Sequence, residues 1–390
     1  MKAHTLKLLL PVIAITVQNN TAWLILSPYL QHLQFPVATI GSLIALSPVF
    51  SLVSRLPSGL AYRQDRARVL IAMGMVTTGI CNVLYSTATS SLIFALVHGV
   101  NGFAYGAVTT LYMASYVDSL PVGENRSHAM GYYVGSLAVG YATGNFLSGY
   151  LADLFGYSVT FYIAAFLSLL SVPFIWVLGG AESQETVQNR GTWTVKPRFR
   201  DSLSAALNPK MVVVVVVALF LNFLNQVGGV FFPLYGLSVG LTLTQVGVIR
   251  ALYSMCNAIT RPLSGLVVNR FGHRRLSYGG LAIQSVLMAS APFFTSFAPL
   301  LVVFLAAGFL RAVAIVGNAV GLVQDADESK IPRGVASGIY NAAGDLGNIS
   351  GPILGGLIAS ITGVAGLFIA APLGATLLFA AIIWMLDSRK

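Results

Sequence analysis

The chain has 390 residues, of which 56% are hydrophobic and 9% charged, and its mean hydropathy is +0.79. That composition excludes a soluble globular domain of this length and points to a polytopic membrane protein. A net charge of +10 would suggest nucleic acid in a soluble protein; here the cations sit in short segments between apolar runs, so the expected partner is the lipid bilayer and not nucleic acid.

A helix needs about 20 apolar residues to cross the hydrocarbon core. The apolar runs predict twelve spans, near residues 7–31, 38–61, 69–87, 91–117, 127–150, 157–179, 209–237, 243–268, 274–293, 297–324, 333–359 and 364–386. Backbone groups in lipid must be satisfied within the segment, so an all-α bundle is expected. The first run follows Lys2 and Lys7, but no small-residue cleavage site follows it, so it reads as an uncleaved first span. Residues 181–208 are the only long polar stretch; with Arg190, Lys196, Pro197, Arg198 and Arg200 they read as a cytoplasmic linker between halves 1–180 and 209–390.

Basic residues set the orientation. The turn 62–68 carries Arg63, Arg66 and Arg68, and the turn 269–275 carries Arg270, Arg274 and Arg275. The alternate loops carry no Lys or Arg. Basic loops stay inside, so both termini are expected in the cytoplasm of a cell-membrane protein.

The halves repeat one another. At a spacing of 206 positions, Gly41, Arg55, Gly59 and Gly102 meet Gly247, Arg261, Gly265 and Gly308. At 207, Asp118, Arg126, Gly131, Tyr133, Gly140, Gly144 and Gly149 meet Asp325, Arg333, Gly338, Tyr340, Gly347, Gly351 and Gly356. Two copies of a six-span module are expected. Gly347, Gly351 and Gly355 share one helix face, as do Gly140 and Gly144, which predicts close backbone approach in lipid.

Differences between the copies carry the candidate chemistry. Asn341, Asp345 and Asn348 fall on one face of the eleventh span, opposite Val134, Ala138 and Tyr141 in the repeat. Asp345 lies about 18 Å past Arg333 at 1.5 Å per residue. The other acidic residues fall in loops or at helix ends. A mid-membrane carboxylate is costly and usually functional. It reads either as a proton carrier or as a fixed counter-ion to Arg311, whose depth overlaps it. Arg250 and Asn257 in the eighth span add polarity. Asn19 and Asn20 match Asn225 and Gln226, and Asn222 shares a face with Gln226; these amides are expected to line a cavity or bond a neighbouring helix. Trp23 and Tyr253 offer flat apolar walls, and His98 is a second proton-carrier candidate. Near the basic turns, Arg63, Asp65, Arg66, Arg68 and Asp118, with Asn269, Arg270, Arg274 and Asp325 in the repeat, are expected to form a cytoplasmic gate of ion pairs. Cys81 and Cys256 suggest neither a disulfide nor a metal site. No nucleotide-binding motif or catalytic grouping appears, so neither a cofactor nor an enzyme is expected.

The segment Gly265-Leu-Val-Val-Asn269-Arg270-Phe-Gly272-His273-Arg274-Arg275 resembles the signature loop of the major facilitator superfamily, Gly-x-Leu-Ala-Asp-Arg-x-Gly-Arg-Arg. The first copy, Gly59 to Arg68, is degenerate: the family's acidic position is Arg63 there and Asn269 in the repeat. Gly351-Pro352-Ile-Leu-Gly355-Gly356 is similar to the Gly-Pro-x-x-Gly-Gly stretch of the family's efflux antiporters, displaced here from the fifth span to the eleventh. The resemblance implies two six-helix bundles around a central cavity lined by the first and seventh helices, with alternating access. His98 stands where the family often has an arginine. The implied function is secondary transport of a small organic solute, with proton-coupled efflux as the first expectation and a single chain as the working unit. Two buried arginines against one buried acid favour an anionic or zwitterionic solute. The alternatives are proton-coupled uptake of an anionic metabolite and, from another class, a non-transporting receptor or lipid-handling protein.

Overall fold

The computed structural model describes residues 7–120, 126–176 and 208–388. The expected linker and its basic residues therefore lie outside the described residues, apart from position 208. Among the described residues every regular element is helical. In chain order they are α1 (Leu10–His32), α2 (Val37–Ala61), α3 (Gln64–Tyr85) and α4 (Ser91–Asp118). The continuous stretch Arg126–Ile175 breaks at Gly156 into α5 and α6. Then come α7 (Pro209–Ser238), α8 (Leu243–Phe271), α9 (His273–Ser290) and α10 (Phe297–Glu328). Arg333–Asp387 breaks at Gly363 into α11 and α12. The total is twelve α-helices among the described residues, with a short 3-10 helix, Ala291–Phe293, between α9 and α10.

Eight of the helical stretches are long and apolar enough to cross a membrane by length and composition, and two of those eight are the double-length ones. The other two long helices, α8 and α9, fall short of that apolarity. Their charge explains it: α8 carries Arg250, Arg261 and Arg270, and α9 opens on His273, Arg274 and Arg275.

The connections are shorter than the sequence suggests. The expected basic turn 62–68 shrinks to Tyr62 and Arg63, because α3 already begins at Gln64 with Asp65 in its first turn. An acid there complements the positive end of the helix dipole, so Arg66 and Arg68 become helical. The expected turn 269–275 shrinks likewise to Gly272, at φ 83°. The expected loops 151–156 and 360–363 reduce to single glycine joints, Gly156 at φ 79° and Gly363 at φ 75°. Only glycine enters that left-handed region at no steric cost.

The repeat is visible in these joints. Gly156 and Gly363 are 207 positions apart. After α1, Leu33, Gln34 and Phe35 donate to the carbonyls of Tyr29, Gln31 and Leu30. After α7, Val239, Gly240 and Leu241 donate to Tyr235, Leu237 and Gly236, the same pattern 206 positions on. Gln34 and Gly240 both take positive φ there, as helix-ending residues do.

Two compact units emerge from the packing. The first joins the described residues up to 176 with Phe232–Met255; the second joins residues 208–231 with those from Cys256 onward. In the first unit α1 packs on α5. A Cβ at Gly140 would stand 2.5 Å from Thr16 Cβ, and one at Gly144 would stand 2.7 Å from the Val17 carbonyl oxygen. Only hydrogen fits at those positions. The first unit also includes the start of α8. There Asp153, near the end of α5, accepts from the amides of Leu243 at 3.1 Å and Thr244 at 2.6 Å. The carboxylate so satisfies two orphan donors at a helix N-terminus. Gly149 lies directly under the Leu243 carbonyl, which brings Asp153 within reach.

In the second unit α11 packs on α7 by the same device. Cβ atoms at Gly347, Gly351 and Gly355 would meet the Leu219 carbonyl oxygen, Gln226 Cβ and the Phe231 ring at 2.3, 2.7 and 2.6 Å. That face of small residues brings the polar stripe of α11 against the amides of α7.

Candidate functional site

In the first unit, His98 of α4 is 1% exposed. Its Nε2 lies 3.3 Å from the Ile44 carbonyl oxygen of α2, and its Nδ1 lies 2.7 Å from the Tyr85 hydroxyl of α3. A carbonyl only accepts, so in the neutral ring Nε2 carries the hydrogen and Nδ1 accepts from Tyr85. Trp23 and Phe94 stack on the imidazole, with centroids at 5.9 and 5.5 Å. Both nitrogens and two stacked rings hold the imidazole. Asn20 donates to the Thr16 carbonyl of its own helix at 2.9 Å, and Asn19 is half-buried on α1. Sequence reasoning missed a second buried polar pair: Asn82 of α3 donates to Gln18 Oε1 at 3.3 Å, and Gln18 donates to the Ile15 carbonyl at 3.2 Å. The Arg250 guanidinium lies 4.9 Å from the centroid of the Tyr253 ring, one turn along α8.

The second unit brings together more of the candidates. Arg311 of α10 is 6% exposed. Its Nη1 donates to the Leu221 carbonyl, and its Nη2 donates to Asn222 Oδ1 at 3.2 Å. Asn222 is pinned in turn, donating to the Ala218 carbonyl at 2.9 Å. The same amide faces α11: a Cβ at Gly344 would lie 3.1 Å from Asn222 Nδ2. Asp345 is the next residue and is half-buried. Arg311 and the backbone beside Asp345 therefore converge on one side chain. One turn further along, Gln226 lies 3.5 Å from Asn348 Oδ1, at the limit of a hydrogen bond. Asn225 is half-buried and Asn341 is exposed.

Asn257 of α8 donates to the Gly308 carbonyl at 3.3 Å, and its Oδ1 accepts from Arg261 Nε at 3.1 Å. Arg261 was legible only as a repeat marker of Arg55. The overlooked signal is an amide and a guanidinium four residues apart on one helix face. The Tyr340 hydroxyl reaches Asn318 and stands within electrostatic range of both Arg311 and Arg261.

At the basic end of the helices, Arg274 Nη2 and Asp325 Oδ1 are 3.0 Å apart. Asp325 is 3% exposed, so this pair is anchored in the fold. In the repeat position Asp118 accepts from the Tyr62 hydroxyl at 2.6 Å. Burial and that carboxylate both hold the Tyr62 phenol above its ordinary range. Arg63 and Arg66 lie 3.4 and 3.8 Å from Asp65, at the surface. Arg270 lies over Phe271, Asn269 is exposed and Arg68 half-buried. Lys210 donates to Glu328 at 2.5 Å, and this bond first, then the ammonium charge, holds the Glu328 carboxyl below its usual value. A depressed folded-state value stabilises above the unfolded pKa and is lost as pH falls through the folded one. Lys210→Gln is therefore expected to lower the thermal midpoint slightly at neutral pH, since both groups are exposed. The difference from wild type should persist above the ordinary Glu range and shrink only as pH falls below that range through the lowered Glu328 value, as unfolding curves of both proteins across pH will test. Among the described residues no group of three or more His, Cys, Asp or Glu is placed to hold a metal ion.

The Major Facilitator Superfamily profile matches residues 8–327 and 215–390. The chain belongs to the Major Facilitator Superfamily. Membership makes it an integral membrane protein of a transporter family. MFS-type transporter MJ1560 of Methanocaldococcus jannaschii is 21% identical over 350 residues, covering 88% of each chain. Multidrug resistance protein 2 of Bacillus subtilis is 22% identical over 343 residues, covering 86% of this chain and 83% of its own. Among solved structures, the nucleoside transporter NupG superposes with a TM-score of 0.82 at 15% identity, over 98% of this chain and 99% of its own. A bacterial homologue of the human lysosomal transporter Spinster, inward-facing and unoccupied, gives 0.78 at 15% identity over 100% and 96%. These likenesses define the superfamily fold of two six-helix halves.

Proposed function

We propose that this superfamily member carries a small, partly apolar organic anion or zwitterion by alternating access between its two six-span halves, together with a proton taken up on Asp345. The observation that carries this reading is the convergence of Arg311 and the α11 backbone beside Asp345 on the Asn222 amide. In this reading an ionised Asp345 weakens the attraction of the Arg311 guanidinium for a second anion. Protonating Asp345 removes that competition, so proton binding and anion binding reinforce one another. Solute and proton then move together, and an inward proton gradient drives uptake. His98 serves in this reading as a packing group, since both ring nitrogens are engaged and Trp23 and Phe94 stack on the ring. The chain works singly, with both termini and the Arg63–Arg68 and Arg270–Arg275 segments cytoplasmic.

Efflux is the second reading, favoured by the likeness to Multidrug resistance protein 2 over 86% of this chain. Vesicles of known orientation separate the two. Under an imposed inward proton gradient, right-side-out vesicles are expected to accumulate an aromatic anion such as phthalate faster than protein-free controls. Depletion of preloaded phthalate from the same vesicles would select efflux instead.

A further inference from the structure

Arg261 and Arg311 are brought to one level by the hydrogen bonds around them. Asn257 donates to the Gly308 carbonyl, which ties α8 to α10 at that point. Since α9 separates them in the chain, α8 and α10 run in the same direction across the membrane. Arg261 lies four residues beyond Asn257, about 6 Å along its helix. Arg311 lies three residues beyond Gly308, about 4.5 Å along its own. Each guanidinium is oriented by a side-chain amide oxygen, Asn257 for Arg261 and Asn222 for Arg311. Those amides are themselves fixed on backbone carbonyls. An amide acceptor directs a guanidinium without neutralising it. The Tyr340 hydroxyl of α11 lies within electrostatic range of both cations.

We propose that Arg261 and Arg311 form the recognition site for a doubly charged oxyanion, either one phosphoryl group or a pair of carboxylates. This rests on the reading of Asp345-linked anion transport and names its substrate class.

Charge balance leads there. Among the described residues the charged groups at this level of the second unit are Arg261 on α8, Arg311 on α10 and Asp345 on α11, with the Tyr340 phenol beside them and the Cys256 thiol five residues before Arg261. The described parts of α7 in this unit contribute Asn222 and Gln226. Neither α9 beyond Tyr278 nor α12 before Asp387 contains a titratable side chain. With Asp345 ionised, two cations and one anion leave one positive charge, which a singly charged solute neutralises without a proton. A doubly charged solute leaves a net negative charge unless Asp345 is protonated. Uncompensated charge at mid-membrane is costly. The double charge is therefore what ties one proton to one solute. Paired guanidinium groups also match planar carboxylates and phosphoryl oxygens through several donors at once.

The test is binding to the purified full chain in detergent at pH 7, by calorimetry, with phenyl phosphate, phthalate, benzoate and benzyltrimethylammonium as probes. Wild type is expected to bind phenyl phosphate or phthalate at least about tenfold more tightly than benzoate, and the two dianions identify which source of double charge is preferred. Arg261→Gln is expected to bring dianion affinity down to that of benzoate while leaving benzoate within about threefold. Arg261→Lys keeps the charge and gives an intermediate loss, which guards against a misfolded glutamine variant. Equal dianion binding by wild type and both Arg261 variants would overturn the two-cation site while leaving single-anion transport through Arg311 intact. Wild-type binding of the cation alone would end both readings.

Discussion

Asp345→Asn is expected to abolish accumulation of an anionic solute against its gradient, by more than about tenfold, while solute exchange across the same membrane persists. The asparagine resembles the protonated carboxyl in size and in lacking charge. It still leaves Asn222 between Arg311 and the α11 backbone. Recognition of the solute therefore survives, and affinity for an anion rises because the competing charge is gone. What is lost is the group that exchanges a proton. Reconstituted vesicles with and without an imposed pH gradient will read both properties. Normal accumulation by the variant would remove Asp345 from the coupling step.

Gly347→Leu is expected to cost about 3 kcal/mol of stability or more, the upper range for overpacking. Any side chain at 347 begins 2.3 Å from the Leu219 carbonyl oxygen, which is backbone and cannot rotate away. Helices α7 and α11 must separate, and Asn222 and Gln226 then move away from Gly344 and Asn348. Loss of thermal stability and of solute binding should appear together. Gly135→Ala in α5 is the control, because nothing lies within 4 Å of its Cβ position. Alanine there is expected to raise helix stability by about 0.5–1 kcal/mol. Comparable destabilisation by both variants would mean that close approach at Gly347 does not govern the packing.

These expectations trace how far residue patterns reach. The small-residue faces at Gly140 and Gly347 were legible because helix contact in lipid leaves a four-residue period in one segment. The repeat was legible in glycines and loop charges, and it extends to joints as fine as Gly156 and Gly363. The partner of a polar side chain is another matter. Arg311 and Asp345 overlap in depth, and that much could be counted along the helices. That Arg311 reaches the Leu221 carbonyl and Asn222 depends on how α10 rotates against α7, which no local pattern records. Asp118 shows the same limit: nearby arginines suggested an ion pair, whereas a phenol from the end of α2 donates to it. Arg261 was hidden for the opposite reason. Its match to Arg55 marked it as shared framework, so its position beside Asn257 drew no notice.

Proton uptake on solute binding is the decisive quantity. Purified protein in weakly buffered solution at pH 7 is titrated with phthalate, which is fully ionised there, while the pH is followed. Wild type is expected to take up protons as phthalate binds, and Asp345→Asn to bind phthalate with no proton uptake. Phthalate binding by wild type without any pH change, or equal uptake by the two proteins, would contradict the linkage between Asp345 and the anion.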